Sequence, residues 1–264
     1  MAKPLYDIEP LRPILAQRPF GLFSDIDGTL SPIAPTPQEA YIPEPISQQL
    51  RRLTAAGFLV ALISGRPLGE AMAMVGLEDV VYAGNHGFEL WIDGRQETAP
   101  GCQEYYEKAR EVIGDMSALA HPGVWVQDKG PVIAIHYRLA PNVSAAREAI
   151  LATIKASAAA RAFRLEEGKR IFELRPPIAV DKGTALKALV ERFGIKGLLC
   201  LGDDTTDVDM FNAAHSLKAD IVRARIAVGG AGTFSEVLAT ADYSVWGVEG
   251  VEWLLREIVR VLLD

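Results

Sequence analysis

Short, continuously apolar runs alternate with amphipathic helical patterns at both ends of the chain, and in the middle that alternation stops. Phe20–Ser24, Phe58–Ser64 and Val80–Ala83 are the apolar runs of the first third, with helical patterns around Ile46–Ala56 and Leu68–Val75. Strands apolar along their whole length have both faces buried, which requires a parallel sheet with helices on each side. After Pro177 the pattern resumes: a helix from about Lys182 to Phe193, a strand Leu198–Leu201, a helix near Met210, a short strand Ile226–Val228 and a last helix Val251–Leu263. Gly57 and Gly194 stand where left-handed residues end helices, Asp181 can cap one, and Thr233 with Glu236 has the spacing of a capping box.

Between these halves the texture changes. Gly101–Pro177 holds a helical stretch, strand-like runs at Val124–Gln127 and Val132–Arg138, an Ala-rich helix from about Val143 to Ala160, and further runs at Phe163–Leu165 and Ile171–Leu174. Ala156–Ala162 reads as helix surface. Successive strands favour an antiparallel sheet, so the expected fold class is α/β, a Rossmann-like parallel-sheet core (1–100 and 178–264) with an inserted α+β domain (101–177).

Composition narrows the partners. The chain has 264 residues and a net charge of −7, which disfavours nucleic acid and acidic membranes because both need a basic face. A phosphorylated small molecule would therefore have to find its positive charge locally. Cys102 and Cys200 do not suggest a disulfide framework, and Cys200 lies inside an apolar run. Neither a signal-peptide core nor a bilayer-length apolar stretch is seen, so the expectation is a cytoplasmic protein without a membrane partner.

In open α/β sheets ligands bind beyond the carboxyl ends of the strands. Four clusters fall there or open a helix: Asp25 and Asp27, Ser64-Gly65-Arg66, Lys182, and Gly202-Asp203-Asp204-Thr205-Thr206-Asp207. Together they supply what phosphoryl transfer through a covalent intermediate requires. Asp25 would attack phosphorus, Asp27 would act as acid and then as base, and Lys182 and the Ser64 hydroxyl would hold phosphate oxygens. Carboxylates and a backbone carbonyl are hard oxygen ligands, which points to Mg²⁺ as cofactor.

In this order the four clusters resemble the motifs of the haloacid dehalogenase-like (HAD) phosphatases. Within that superfamily the chain is similar to the trehalose-6-phosphate phosphatases, through Gly84-Asn85-His86-Gly87-Phe88-Glu89, Asp128-Lys129 leading to His136-Tyr137-Arg138, and Glu173-Leu174-Arg175-Pro176 running into Asp181-Lys182-Gly183. The resemblance implies a Mg²⁺-dependent phosphatase that hydrolyses trehalose 6-phosphate through an aspartyl-phosphate at Asp25. It places Asp25, Asp27 (by its carbonyl), Asp203 and, behind them, Asp207 at the metal. It makes the insertion a mobile cap, with Lys129, Arg138 and Glu173 near the sugar hydroxyls and Gly65, Arg66, His86, Gly87 and Glu89 approaching from the core. Two positions depart from the family pattern: Gln127 replaces a common glutamate, and Val208 follows Thr206-Asp207 where a glutamate is usual. The alternatives are the same chemistry on sucrose phosphate or a glycosyl-phosphoglycerate, or a non-catalytic module that binds a sugar phosphate.

Overall fold

The structure is a computed structural model that describes residues 1–117, 119–168, 170–230 and 234–264. It divides into two compact units, Met1–Glu97 with Val180–Asp264, and Thr98–Ala179; the predicted insertion was 101–177.

In chain order the strands are β1 (Lys3–Pro4), β2 (Phe20–Ser24), β3 (Leu59–Ile63), β4 (Val81–Gly84), β5 (Glu89–Ile92), β6 (Arg95–Thr98), β7 (Trp125–Lys129), β8 (Val132–His136), β9 (Arg164–Gly168), β10 (Ile171–Arg175), β11 (Gly197–Gly202), β12 (Val222–Gly229) and β13 (Tyr243–Trp246). Among the described residues the first unit holds a nine-stranded sheet in the order β1-β13-β12-β11-β2-β3-β4-β5-β6. It is parallel from β1 through β4, and β5 runs antiparallel to β4. From β2 the chain proceeds to β3 and β4 on one side, while β11 and β12 extend the sheet on the other. That reversal makes the β2/β11 junction a topological switch point, where the loops part and leave a crevice.

Alternation along the central strands shows that both faces are covered. Leu22, Leu62, Leu199 and Leu201 pack into one apolar cluster with the helices Glu44–Ala55, Leu68–Val75 and Gly247–Leu263. Their neighbours Phe23, Ala61, Ile63, Leu198 and Cys200 pack into another with Lys182–Arg192, Thr205–His215 and Ser235–Thr240. Asp181 caps its helix by accepting from the Thr184 N–H at 2.7 Å, and Gly57 and Gly194 take φ of 81° and 60° past their helices. Thr233 lies outside the described residues, so its capping box is not observed. Cys102 and Cys200 are both buried free thiols. No described helix is long and apolar enough to cross a membrane.

The second unit carries a four-stranded antiparallel sheet in the order β7-β8-β10-β9. Ile133, Ile135, Phe172 and Leu174 join the helices Glu104–Met116 and Val143–Ala156 in its core. The helix predicted to run to Ala160 stops at Ala156. Buried Ser157 breaks it: its hydroxyl donates to Asp115 at 2.5 Å and accepts from the Ala160 N–H, and a 3₁₀ turn Ala159–Ala162 follows. Ala160 then faces the core, which corrects the reading of this Ala-rich segment as helix surface.

Candidate active site

β2 delivers Asp25 to the switch point, 4% exposed, with its backbone N–H bonded to Leu201 of β11 at 3.0 Å. Lys182, the first residue of its helix, reaches into the same place and is only 2% exposed. Its Nζ lies 2.8 Å from Asp25 Oδ1 and 2.8 Å from Asp207 Oδ1. Asp207 is fully buried; its other oxygen accepts from the backbone N–H groups of Asp203 and Asp204 at 2.9 and 3.0 Å. This carboxylate therefore does two local jobs, fixing the lysine and shaping the loop after β11. Asp204 caps the following helix through the Thr205 N–H.

Asp203 completes the group. Thr29 Oγ1 donates to its Oδ1 at 2.9 Å. Gly28 turns the chain beneath it with a φ of +86°, and a Cβ there would fall on the Asp203 carboxylate, so the glycine is a steric requirement as well as a conformational one. Oxygens of Asp25, Asp203 and Asp207 lie within 4.8 Å of one another.

Charge explains the titration of this cluster. Three carboxylates share one ammonium, so burial and the neighbouring Asp207 hold Asp25 well above the usual carboxylate range. Burial, then Asp207, pushes Asp203 up to about 7. Burial alone would lower Lys182, but Asp207 and Asp25 outweigh it and keep the ammonium charged. The group thus lacks positive charge and offers hard oxygen donors, which fits a bound divalent cation.

Asp27 faces elsewhere. Arg66 grips it with two bonds of 2.6 Å, Nε to Oδ2 and a terminal nitrogen to Oδ1, a bidentate pair that fixes the carboxylate's direction. Ser64 is 1% exposed, and its hydroxyl accepts from the Arg66 N–H at 3.1 Å. The His86 ring lies over Gly65, where any Cβ would meet it at 2.8 Å. The His86 N–H donates to Ser64 O at 2.8 Å and the Asn85 N–H to Arg66 O at 2.7 Å, so the loops after β3 and β4 form one hydrogen-bonded unit. Gly87 packs against Ala185. Glu89 is buried and turned into this loop, accepting from Asn85 Nδ2 at 2.7 Å. Val208 fills the core beside Phe211, so the departure from the family pattern there is an apolar packing choice.

In the second unit, register places Trp125 of β7 opposite His136 of β8, and sets Gln127 and Glu173 on either side of Ala134, with Lys129 two residues further along β7. Lys129 Nζ lies 2.9 Å from Glu173 Oε1, His136 Nε2 lies 3.0 Å from Gln127 Oε1, and the Trp125 and His136 rings stack at 4.6 Å. Arg138 follows β8 and is exposed. Burial, then Lys129 and Arg138, lowers the pKa of His136 to about 4. The unfolded chain therefore takes up this proton first as pH falls. The neutral ring's full contribution is present above about pH 6.5 and is lost progressively down to about pH 4. His136→Gln should flatten that slope: between pH 7 and pH 5 the wild type should lose about 1 kcal/mol more than the variant in urea unfolding, after discounting for solvent screening. Equal slopes would remove the assignment.

Of the residues predicted from sequence, the structure brings Asp25, Lys182, Asp203 and Asp207 together, with Asp27, Ser64 and Arg66 on the adjoining loops. Thr29 and Asn85 were missed. Thr29 follows Asp27 and Gly28 directly, so proximity in sequence is the available signal; Asn85 stands inside the Gly84–Glu89 motif, which is its signal.

A model of the trehalose-phosphatase family matches residues 23–239. A trehalose-phosphate phosphatase of Mycobacterium leprae is 32% identical over 219 residues, 76% of this chain and 49% of that protein. The chain thus spans about half the length of that curated relative. A trehalose-6-phosphate phosphatase structure from Aspergillus fumigatus superposes with a TM-score of 0.66 at 25% identity, covering 98% of this chain and 99% of the other. The C-terminal domain of a Candida albicans trehalose-6-phosphate phosphatase shares the fold, with a TM-score of 0.74 at 22% identity over 99% of each chain.

Proposed function

Because the chain belongs to the trehalose-phosphatase family, we propose that it hydrolyses trehalose 6-phosphate to trehalose and phosphate through an aspartyl-phosphate at Asp25. The observation that carries this reading is Lys182, buried at the switch point and bridging Asp25 to Asp207. A cation held there neutralises the approach of a phosphate dianion and orients the nucleophile.

In the proposed cycle Asp25 Oδ attacks phosphorus, the bond from phosphorus to the sugar oxygen breaks, and Asp27 gives that oxygen its proton. Asp27 then takes a proton from water as the water attacks the aspartyl-phosphate, releasing inorganic phosphate and restoring Asp25. Arg66 fixes the direction of the Asp27 carboxylate, and Ser64 and Lys182 hold phosphate oxygens. Asp25, Asp203 and the backbone carbonyl of Asp27 would hold Mg²⁺, whose charge would offset the phosphoryl oxygens. Lys129, Glu173 and Arg138 of the second unit are the proposed sugar contacts.

The test is phosphate release from trehalose 6-phosphate, sucrose phosphate and a glycosyl-phosphoglycerate, with Mg²⁺ and with a chelator. Turnover should be highest on trehalose 6-phosphate and should vanish with the chelator. Better turnover of another sugar phosphate would replace the substrate, Mg²⁺-independent turnover would remove the metal, and binding without turnover would favour the regulatory module.

A further inference from the structure

Glu89 is a buried carboxylate that the proposed cycle does not use. It is 7% exposed, and it lies under the loop that follows β4. Its Oε2 accepts from Asn85 Nδ2 at 2.7 Å and, at 3.5 Å, from the Leu68 N–H that opens the helix after Ser64-Gly65-Arg66. Gln96 of β6 reaches its other oxygen at 3.4 Å. One carboxylate thus ties both phosphate-side loops together from beneath.

The loop it holds is strained. Asn85, His86 and Gly87 are three successive residues with positive φ, 50°, 62° and 109°. Two of them are not glycine, a conformation that persists only where the surroundings over-determine it. What the strained turn gains is position. Its backbone N–H groups bond to Ser64 O and Arg66 O, so a shift of Asn85 moves the residue whose side chain grips Asp27.

Resting on the phosphatase reading above, we infer that Glu89 is a positioning residue: it latches the Asn85–Gly87 turn, and through that turn it sets Arg66 against Asp27 without touching the sugar. This assigns Glu89 a place different from the substrate contact that the motif suggested.

The test uses Glu89→Gln in the full chain, with trehalose 6-phosphate and the sugar-free alkyl ester glycerol 3-phosphate, whose leaving oxygen needs the same proton from Asp27. A carboxylate that acts through Arg66 affects the reacting end of every ester, so kcat should fall about 10- to 100-fold on both substrates with little change in KM. In an Arg66→Lys background the same change should cost little more, because the interaction it supports is already broken. Asn85→Gly removes the side-chain partner yet suits the positive φ, so it should keep the fold and reproduce the loss if Glu89→Gln does not fold. A loss confined to the sugar ester, or losses that multiply in the Arg66→Lys background, would overturn the inference. If wild type cleaves glycerol 3-phosphate and not trehalose 6-phosphate, the substrate reading fails while the latch is still tested.

Discussion

Asp25→Asn should stop turnover while leaving the protein at least as stable as the wild type. Loss of the attacking oxygen removes the covalent route, and kcat should fall by roughly 10⁴-fold or more. Stability should move the other way, because Asp25 is buried among Asp207 and Asp203 and its pKa lies well above the ordinary carboxylate range. Its charge is therefore a cost to the folded state. Asparagine has the same shape, keeps an oxygen for Lys182 and leaves two carboxylates to share the ammonium in place of three. Thermal melts at pH 7 without metal should give a Tm equal to or above that of the wild type, and, on the proposed metal site, any increase produced by added Mg²⁺ should shrink because a proposed ligand has gone. A variant within tenfold of wild-type kcat would remove Asp25 as nucleophile. A large drop in Tm would show that its charge supports the fold.

Much of this site is legible in the sequence, for a physical reason. Parallel strands buried on both faces must be apolar throughout, so β2, β3 and β11 announce themselves and their ends mark where polar residues can gather. The hairpin of β5 and β6 is not legible in the sequence, because Arg95, Gln96, Glu97 and Thr98 form a polar edge strand without apolar alternation. Its available signal was the Asp93-Gly94 turn, where both residues take positive φ. The grip of Arg66 on Asp27 spans 39 positions in sequence and depends on β2 and β3 being neighbours, which periodicity does not encode. Burial of Lys182 was also hidden. At the start of a helix a lysine reads as solvated, and only the packing of its helix against the Thr205–His215 helix and β3 takes its ammonium out of water.

Lys182→Met should therefore damage the fold as well as the reaction. Methionine has a similar length and can occupy the same channel, so packing is largely retained and the loss is electrostatic. Asp25, Asp203 and Asp207 would then stand together without their ammonium, and breaking a buried ion pair from one side costs about 3–5 kcal/mol. In a domain of this size that should lower Tm by about 10 °C, while kcat falls at least about 10³-fold. The pH dependence follows from the same charges. Without Lys182, folded Asp25 and Asp203, already held above the usual carboxylate range by burial and Asp207, hold protons that the unfolded chain releases near pH 4, so stability must fall as pH rises through neutrality and recover toward pH 5. Removing one of the stranded charges should also help. The double variant Asp25→Asn, Lys182→Met should melt above Lys182→Met alone, a non-additivity expected of groups that share one buried charge balance. If the double variant melts lower than Lys182→Met, or if Lys182→Met matches the wild type, then the cluster is held by packing and the ammonium is not its counter-charge.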